Sequence, residues 1–313
     1  MTSKIITVTP NPALDQTIIL DQLHVGEVNR AKEALLHAGG KGVNVAACLA
    51  DWGGGQIIAA GLLGADNQAA FAALFAAKSI IDGFVRVPGE TRTNIKLSHN
   101  GQTTDINLPG LKLAPAHQAT LAAKLASLCS PGDLVLLAGS LPERMSPEDY
   151  SQLAQQLVES GARLLVDSSG APLKALLDGP TPPYAMKPNR EELEDYLGQA
   201  LPDDQALLRA ARGLNERGVT LVVISLGAAG AWFVTKEAAL HARLPPMRVT
   251  STVGAGDAMM AGIIAGLRDA AGLERMARLA TAFAAGKLAR PGPNLPPRQQ
   301  VEALAAQVEI SKQ

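Results

Sequence analysis

Residues 133–169 read DLVLLAGSLPERMSPEDYSQLAQQLVESGARLLVDSS. The two outer runs, 133–140 and 163–169, are apolar on both faces, the pattern of strands buried in a parallel sheet. The stretch between them, 146–160, reads as a helix. Strand, helix and strand in that order make a right-handed crossover, the building unit of a layered α/β sheet. The same rhythm extends outward in both directions. KIITV (4–8), QIIAAGLLG (56–64), YAMKPN (184–189) and LVVISLG (221–227) read as further strands, and 115–129 and 203–217 as further helices. Ligands of such sheets bind beyond the carboxyl ends of the strands. The polar tails GS, DSS, KPN and SLG all fall at that end.

The composition narrows the function. A chain of 313 residues with 47% hydrophobic content suits one large α/β unit with an appendage. A formal net charge of -1 argues against nucleic acid as partner, and an aromatic content of 3% leaves little for base stacking. No apolar run reaches the roughly 18 residues that span a bilayer, so no membrane partner is expected. The opening MTSKIITVTPNP enters a strand-like run at once, leaving no room for a signal peptide. Cys48 and Cys129 are far apart in apparent helices and read as structural thiols of a reducing, cytoplasmic compartment.

Two segments break the rhythm. DQTIILDQL (15–23) and TRTNIKLSHNGQTTDINL (91–108) alternate like exposed strands, and Asn100-Gly101 marks a hairpin inside the second. They predict a small sheet standing off the main one. Several familiar chemistries are missing from the sequence. GxxxxGK[ST] and GxSxG do not occur, GxGxxG is absent around 39–45 and 254–259, and the five histidines have no zinc spacing.

What remains is glycine-rich elements with single charges. STVGAGDAMMAGIIAGL (251–267) places Met260, Ile263, Ile264 and Leu267 on one helical face, with Gly254, Ala255, Gly256 and Asp257 in the first turn. A helix start carries unpaired N–H groups and partial positive charge, and glycines let an anion come close. Asp257 could equally be a plain cap. HAGGKGVNVAACLA (37–50) puts Gly39, Gly40 and Gly42 before a second helix, with Lys41 in the turn and Asn44 inside; an ordinary turn with a solvated lysine is the alternative. In KPNREELE (187–194) Asn189 caps a helix bearing Glu191, Glu192 and Glu194, and capping alone could explain the carboxylates. Asp15 is a turn residue or an acceptor for ligand hydroxyls. Arg92 is a hairpin surface charge or a phosphate fork.

GGKGVNVA, GSLP (139–142), KPNREELE, SLGAAGA (225–231) and TVGAGDAMMAG, in that order, resemble the ribokinase family, specifically its phosphofructokinase-B branch of sugar-phosphate kinases. The resemblance runs from Thr9 to about Ala289, nearly the whole chain. It implies one three-layer, Rossmann-like domain over residues 1–313, a mostly parallel sheet flanked by helices, with lid segments at about 12–25 and 91–108. It also implies ATP and Mg2+ as cofactors, and ATP-dependent phosphoryl transfer to a sugar phosphate. The phrases GEVNR (26–30), TRTNIKL (91–97) and TDINLPG (104–110) point to members acting on the 6-hydroxyl of fructose 1-phosphate. Kinases of tagatose 6-phosphate or fructose 6-phosphate, and a non-catalytic sugar-phosphate sensor, are the rival readings.

By the same resemblance Asp257 is the catalytic base, kept ionised and weakly basic at a helix start. The N–H groups around Gly254, Ala255, Gly256 and Asp257 form an anion hole, where one such donor is worth ~3–4 kcal/mol. Asp15, Gly39, Gly40 and Asn44 match sugar-binding positions. Lys41, Arg92 and Ser140 are candidates for the phosphate already on the sugar. Lys187 and the loop Ser225, Leu226, Gly227, Ala228, Ala229 and Gly230 match the ATP site, with residues after Ala282 on the adenine side. Asn189 and Glu192 match the N-x-x-E pair that arranges magnesium mainly through water. The lid sheet implies a homodimer.

Overall fold

The structure is a computed structural model and describes residues 3–53, 55–100, 102–244, 254–288, 292 and 294–313. Thr252 and Val253 of the TVGAGD stretch, Gly101 of the hairpin and parts of the presumed adenine side lie outside those residues. The strands are β1 (Ile5–Thr9), β2 (Ala13–Ile19), β3 (Glu33–Gly39), β4 (Ile57–Gly64), β5 (Ile81–Val87), β6 (Thr93–His99) and β7 (Gln102–Ile106). They continue with β8 (Leu134–Ala138), β9 (Arg163–Asp167), β10 (Ala185–Met186), β11 (Leu221–Ser225), β12 (Ala231–Val234), β13 (Ala239–Arg243) and β14 (Glu309–Lys312). The helices are α1 (Lys41–Trp52), α2 (Ala69–Lys78), α3 (Pro115–Leu128), α4 (Pro147–Glu159) and α5 (Gly170–Asp178). The rest are α6 (Arg190–Leu197), α7 (Asp204–Glu216), α8 (Ala255–Arg268), α9 (Leu273–Leu288) and α10 (Arg298–Gln307).

Ten strands form one sheet in the order β14-β13-β12-β11-β10-β9-β8-β1-β4-β5. From β5 to β11 every neighbouring pair is parallel; β12 to β14 extend the edge antiparallel. The apolar-on-both-faces reading holds for a visible reason. Ile5 packs into one core and Ile6 and Val8 into the other; Leu134 and Leu136 face the first, Val135 and Leu137 the second. Helices α1, α8 and α9 cover the first face, and α3, α4 and α7 the second. Successive side chains of a strand point to opposite faces, so a sheet covered on both sides favours apolar residues except at its ends; Thr7, buried in the middle of β1, is an exception.

After β1 the chain lays β4 and β5 to one side, then returns to lay β8, β9, β10 and β11 to the other. That reversal makes a crevice at the carboxyl ends of β1 and β8, where α/β sheets place ligands. The four-stranded sheet β3-β2-β6-β7 stands over it, with β2–β6 parallel and the outer pairs antiparallel. The hairpin at Asn100 is present, and Asn100 has φ 47°. The first lid segment ends earlier than expected, at Ile19, and its antiparallel partner is β3, which the sequence reading passed over. Glu33–Gly39 is a mixed run with weak alternation, and pairing with β2 decides it. The strand read at 184–189 shortens to two residues, because Pro188 cannot donate to a ladder. Cys129 caps α3 rather than lying within it.

The helix expected after Gly254 is buried far more completely than one face requires: every residue from Ala258 to Leu267 is buried. It packs antiparallel on α9 through glycines. A Cβ at Gly262 would lie 2.5 Å from Ala280 Cα, and one at Gly266 would lie 2.8 Å from Met276 Cγ. Backbone is what Gly262 meets, so a side chain there has to push the helices apart. Gly262→Ala is expected to lower stability by about 1–3 kcal/mol, the usual cost of overpacking, read from the midpoint of denaturant unfolding.

Candidate active site

Four elements converge at the crevice, and each delivers its side chain from an end. Asp167 is the last residue of β9 and is buried; Lys187 follows β10 and is buried; Lys41 opens α1; Asp257 stands in the first turn of α8. Lys41 Nζ donates to Asp167 Oδ1 at 2.8 Å, and Lys187 Nζ lies 3.4 Å from Asp167 Oδ2. Burial works against the Asp167 carboxylate, but Lys187 and Lys41 more than offset it and hold its pKa below the ordinary value. Burial likewise pulls on the Lys41 ammonium, yet Asp167 wins and its pKa is raised.

Asp257 differs from its expectation. Burial and the nearby Asp167 charge push its carboxyl up to about 6, against the pull of Asn44, Lys41 and Lys187. Desolvation in the crevice thus outweighs the pull of the neighbouring cations on this carboxyl. Asn44 Nδ2 donates to Asp257 Oδ2 at 2.8 Å, so the residue expected to bind the sugar also orients this carboxylate. Gly254 caps α8 with φ 81°, and Gly256 is exposed. A Cβ at Gly256 would stand 3.4 Å from Lys187 Nζ. Ala255, Gly256 and Asp257 thus present their N–H groups beside an ammonium.

The glycines of GGKG allow the chain to pack closely. A Cβ at Gly39 would meet Asp15 Oδ2 at 2.6 Å, one at Gly40 Thr9 Cγ2 at 2.9 Å, and one at Gly42 Thr9 Oγ1 at 2.5 Å. They let β3 and α1 close onto β1 and β2, and Gly40 also needs its φ of 111°. Asp15 is half-buried on β2, beside Asn94 Nδ2 at 3.4 Å and Lys96 Nζ at 3.7 Å. The Asn94 Oδ1 is buried and has no hydrogen-bond partner among the described residues.

Arg92 and Ser140 come together, and Lys41 pairs with Asp167. One Arg92 Nη lies 3.3 Å from Ser140 Oγ, which also accepts from Asn11 Nδ2 at 3.2 Å. The remaining Arg92 donors reach the carbonyls of Asn11, Pro12 and Leu108 and so tie the lid to the loop after β1. Burial lowers the Arg92 pKa, partly offset by Asp15.

Asn189 and Glu192 form a reciprocal cap: Glu192 N donates to Asn189 Oδ1 at 2.7 Å, and Asn189 N to Glu192 Oε2 at 3.0 Å. Among the described residues no group of three or more His, Cys, Asp or Glu gathers as a metal cage. Glu192 Oε1 takes no hydrogen bond among them. A hard cation that keeps most of its waters fits this donor set. Ser225 to Ala229 line a cavity of about 900 Å³, shared with Asn189, Arg190 and His241. Gly227 to Ala229 form a 3-10 turn, and Gly227 has φ 57° with open space beside it. Gly230 closes the loop, its φ of 95° bringing the backbone against Ala242.

The sequence reading did not single out Asp167, Asn94 or the buried Lys287. The first lay in a polar strand tail already noted, which was the available signal. Lys287 sits in a helical run and offered none.

The model of the pfkB family of carbohydrate kinases matches residues 9–300. A 1-phosphofructokinase of Xanthomonas campestris is 52% identical over 293 residues, covering 92% of each chain. That of Escherichia coli K12 is 39% identical, covering 99% of each. The crystal structure of Escherichia coli phosphofructokinase-2 with fructose-6-phosphate superposes with a TM-score of 0.89 at 28% identity, covering 98% of this chain and 99% of that one. The chain belongs to the pfkB family of carbohydrate kinases. It is a phosphotransferase, a carbohydrate kinase with relatives named 1-phosphofructokinase. No helix among the described residues is long and apolar enough to cross a membrane.

Asp167→Ala would leave Lys187 buried without its anion. A loss of about 3 kcal/mol or more of stability is expected, as for other broken buried pairs. The Asp167 pKa is depressed in the fold, so this contribution is present at neutral pH and fades as pH falls through the acid range. Wild type and variant should converge in stability in acid, which urea titrations at two pH values would check.

Proposed function

We propose that the chain transfers the γ-phosphoryl of ATP to the 6-hydroxyl of fructose 1-phosphate, giving fructose 1,6-bisphosphate. The carrying observation is the Asn44–Asp257 pair at 2.8 Å at the N-terminus of α8, flanked by Lys187. Relatives named 1-phosphofructokinase at 39–52% identity support the substrate.

Asp257 takes the hydroxyl proton as the oxygen bonds to phosphorus, and a carboxyl poised near 6 is ionised at neutral pH yet basic enough to accept it. The N–H groups of Ala255, Gly256 and Asp257 face the charge that gathers on the transferring phosphoryl. Lys187 and Lys41 add positive charge beside them. Such pre-set donors stabilise charge with no reorganisation, and phosphoryl transfer asks for little more than positioning and electrostatics. Bound Mg2+ would neutralise charge on the ATP phosphates, with Asn189 and Glu192 holding it through water. Asp15 and Asn94 accept from and donate to the sugar hydroxyls, while Arg92 and Ser140 face the phosphate already present. ATP lies along Ser225–Gly230, and the lid sheet keeps water from the phosphoryl.

The lid also serves as the seam of a homodimer in this reading. β7 is exposed along its length, and Leu36 and Ile106 are 52% and 44% exposed on the same sheet. Sedimentation should give a dimer that Ile106→Asp weakens.

The deciding assay measures ADP release with Mg-ATP against fructose 1-phosphate, fructose 6-phosphate and tagatose 6-phosphate. The first should lead in kcat/KM by about tenfold or more, about 1.4 kcal/mol of discrimination. A lead for tagatose 6-phosphate keeps the kinase and removes the substrate. No turnover with any of the three removes both. Asp257→Asn should fold normally and lose on the order of 10²–10⁴ in kcat. In the wild type kcat/KM should fall as pH drops through about 6, because protonated Asp257 can no longer accept the proton.

A further inference from the structure

Lys287 is a buried charge of α9 that the mechanism above leaves unused. The seam is antiparallel: Gly266 meets Met276 and Gly262 meets Ala280, four residues on in one helix against four back in the other. Eight further residues toward the start of α8 reach position 254, and the matching position on α9 is 288. The neighbouring residue, Lys287, is where a side chain reaches that start. A Cβ at Gly254 would lie 3.1 Å from Lys287 Cε and 3.8 Å from its Nζ.

The side chain is costly where it sits. Lys287 is 6% exposed among the apolar residues of α9, and a buried ammonium carries a desolvation penalty unless charge nearby offsets it. Burial lowers its pKa and Lys96 of the lid adds to the fall, while Cys48 and Asp257 act against it. The Cys48 thiol is itself pushed up to about 12 by burial and is uncharged at neutral pH. Asp257 is the ionised group among these opposing neighbours, and it belongs to the phosphoryl-transfer centre.

We propose that Lys287 is a positioning cation of that centre: seated against Gly254, it adds fixed positive charge to the N-terminus of α8, favouring the arriving phosphoryl and the ionised form of Asp257. The glycine at the cap leaves room for the ammonium, and the glycine seam brings α9 close enough to deliver it. This rests on the kinase reading. Lys187 flanks Gly256 and Lys287 flanks Gly254, so the helix start lies between two ammonium groups.

The test compares Lys287→Met and Lys287→Ala with wild type, using whichever sugar phosphate the wild type accepts best. Wild-type turnover judges the kinase reading, and the ratio of variant to wild type judges Lys287. A fall in kcat of about tenfold is expected, within what charge at a partly buried helix terminus supplies, with the sugar KM changed less. The acid limb of kcat/KM should move to higher pH, since a lost cation raises the Asp257 pKa. Asp167, Lys41, Lys187 and Cys48 also face Asp257 and are unchanged in both variants, so the movement reports Lys287. Ammonium ions should restore part of the activity of Lys287→Ala, where there is space, and none in Lys287→Met. Wild-type kcat and acid limb in both variants would overturn the proposal. So would a loss that tracks the folded fraction by circular dichroism, with no movement of the limb and no rescue.

Discussion

The site is organised by one buried carboxylate. Asp167 ends a strand between two apolar cores and would be costly there alone. Lys187 reaches it from the end of the next strand and Lys41 from the start of α1. Each ammonium offsets the desolvation of the carboxylate, and the carboxylate fixes where the two ammonium groups lie. One of them flanks Gly256 at the start of α8, so the charge that a phosphoryl would meet is set by a structural ion-pair cluster. The same cluster acts on Asp257, because Asp167 raises its pKa while the two lysines restrain the rise.

Around this cluster the fold has the task of bringing ends together. Strands buried on both faces hold charged residues chiefly where they stop, and the reversal of strand order beside β1 gathers several stops in one crevice. Helix starts arrive at the same place. Glycines act here mainly as spacers: Gly39, Gly40 and Gly42 close α1 and β3 onto β1 and β2, and Gly262 and Gly266 close α8 onto α9. At Gly254 and Gly256 the spare room is taken by ammonium-bearing side chains. The lid is tied down chiefly by Arg92, whose donors span from Leu108 to the loop after β1.

Much of this could be read before any coordinates. Apolar runs of strand length alternating with helices marked the layered sheet, and Asn100-Gly101 marked the lid hairpin. The strands missed were those that lean on a neighbour: β3 by pairing with β2, and β5 and β12 to β14 at or near the sheet edges. Their own residues lack strong alternation. Asp257, Asn44 and Arg92 were visible as single polar residues in apolar or glycine-rich surroundings. Their partners were not, because Asn44 and Asp257 are 213 residues apart and Lys41 and Asp167 are 126 apart.

The amino-acid sequence by itself determined the fold class, the crevice at the strand ends, the glycine-bordered helix start and the carboxylate standing in it. Those are local properties: periodicity, turn chemistry and the spacing of small residues. Tertiary structure alone decided the charge state of the site. Desolvation and the distances among Asp167, Asp257, Lys41, Lys187 and Lys287 set which proton is loosely held, and both depend on which chain ends meet. A helix start taken alone would keep Asp257 a weak base; buried beside Asp167, it is held near 6.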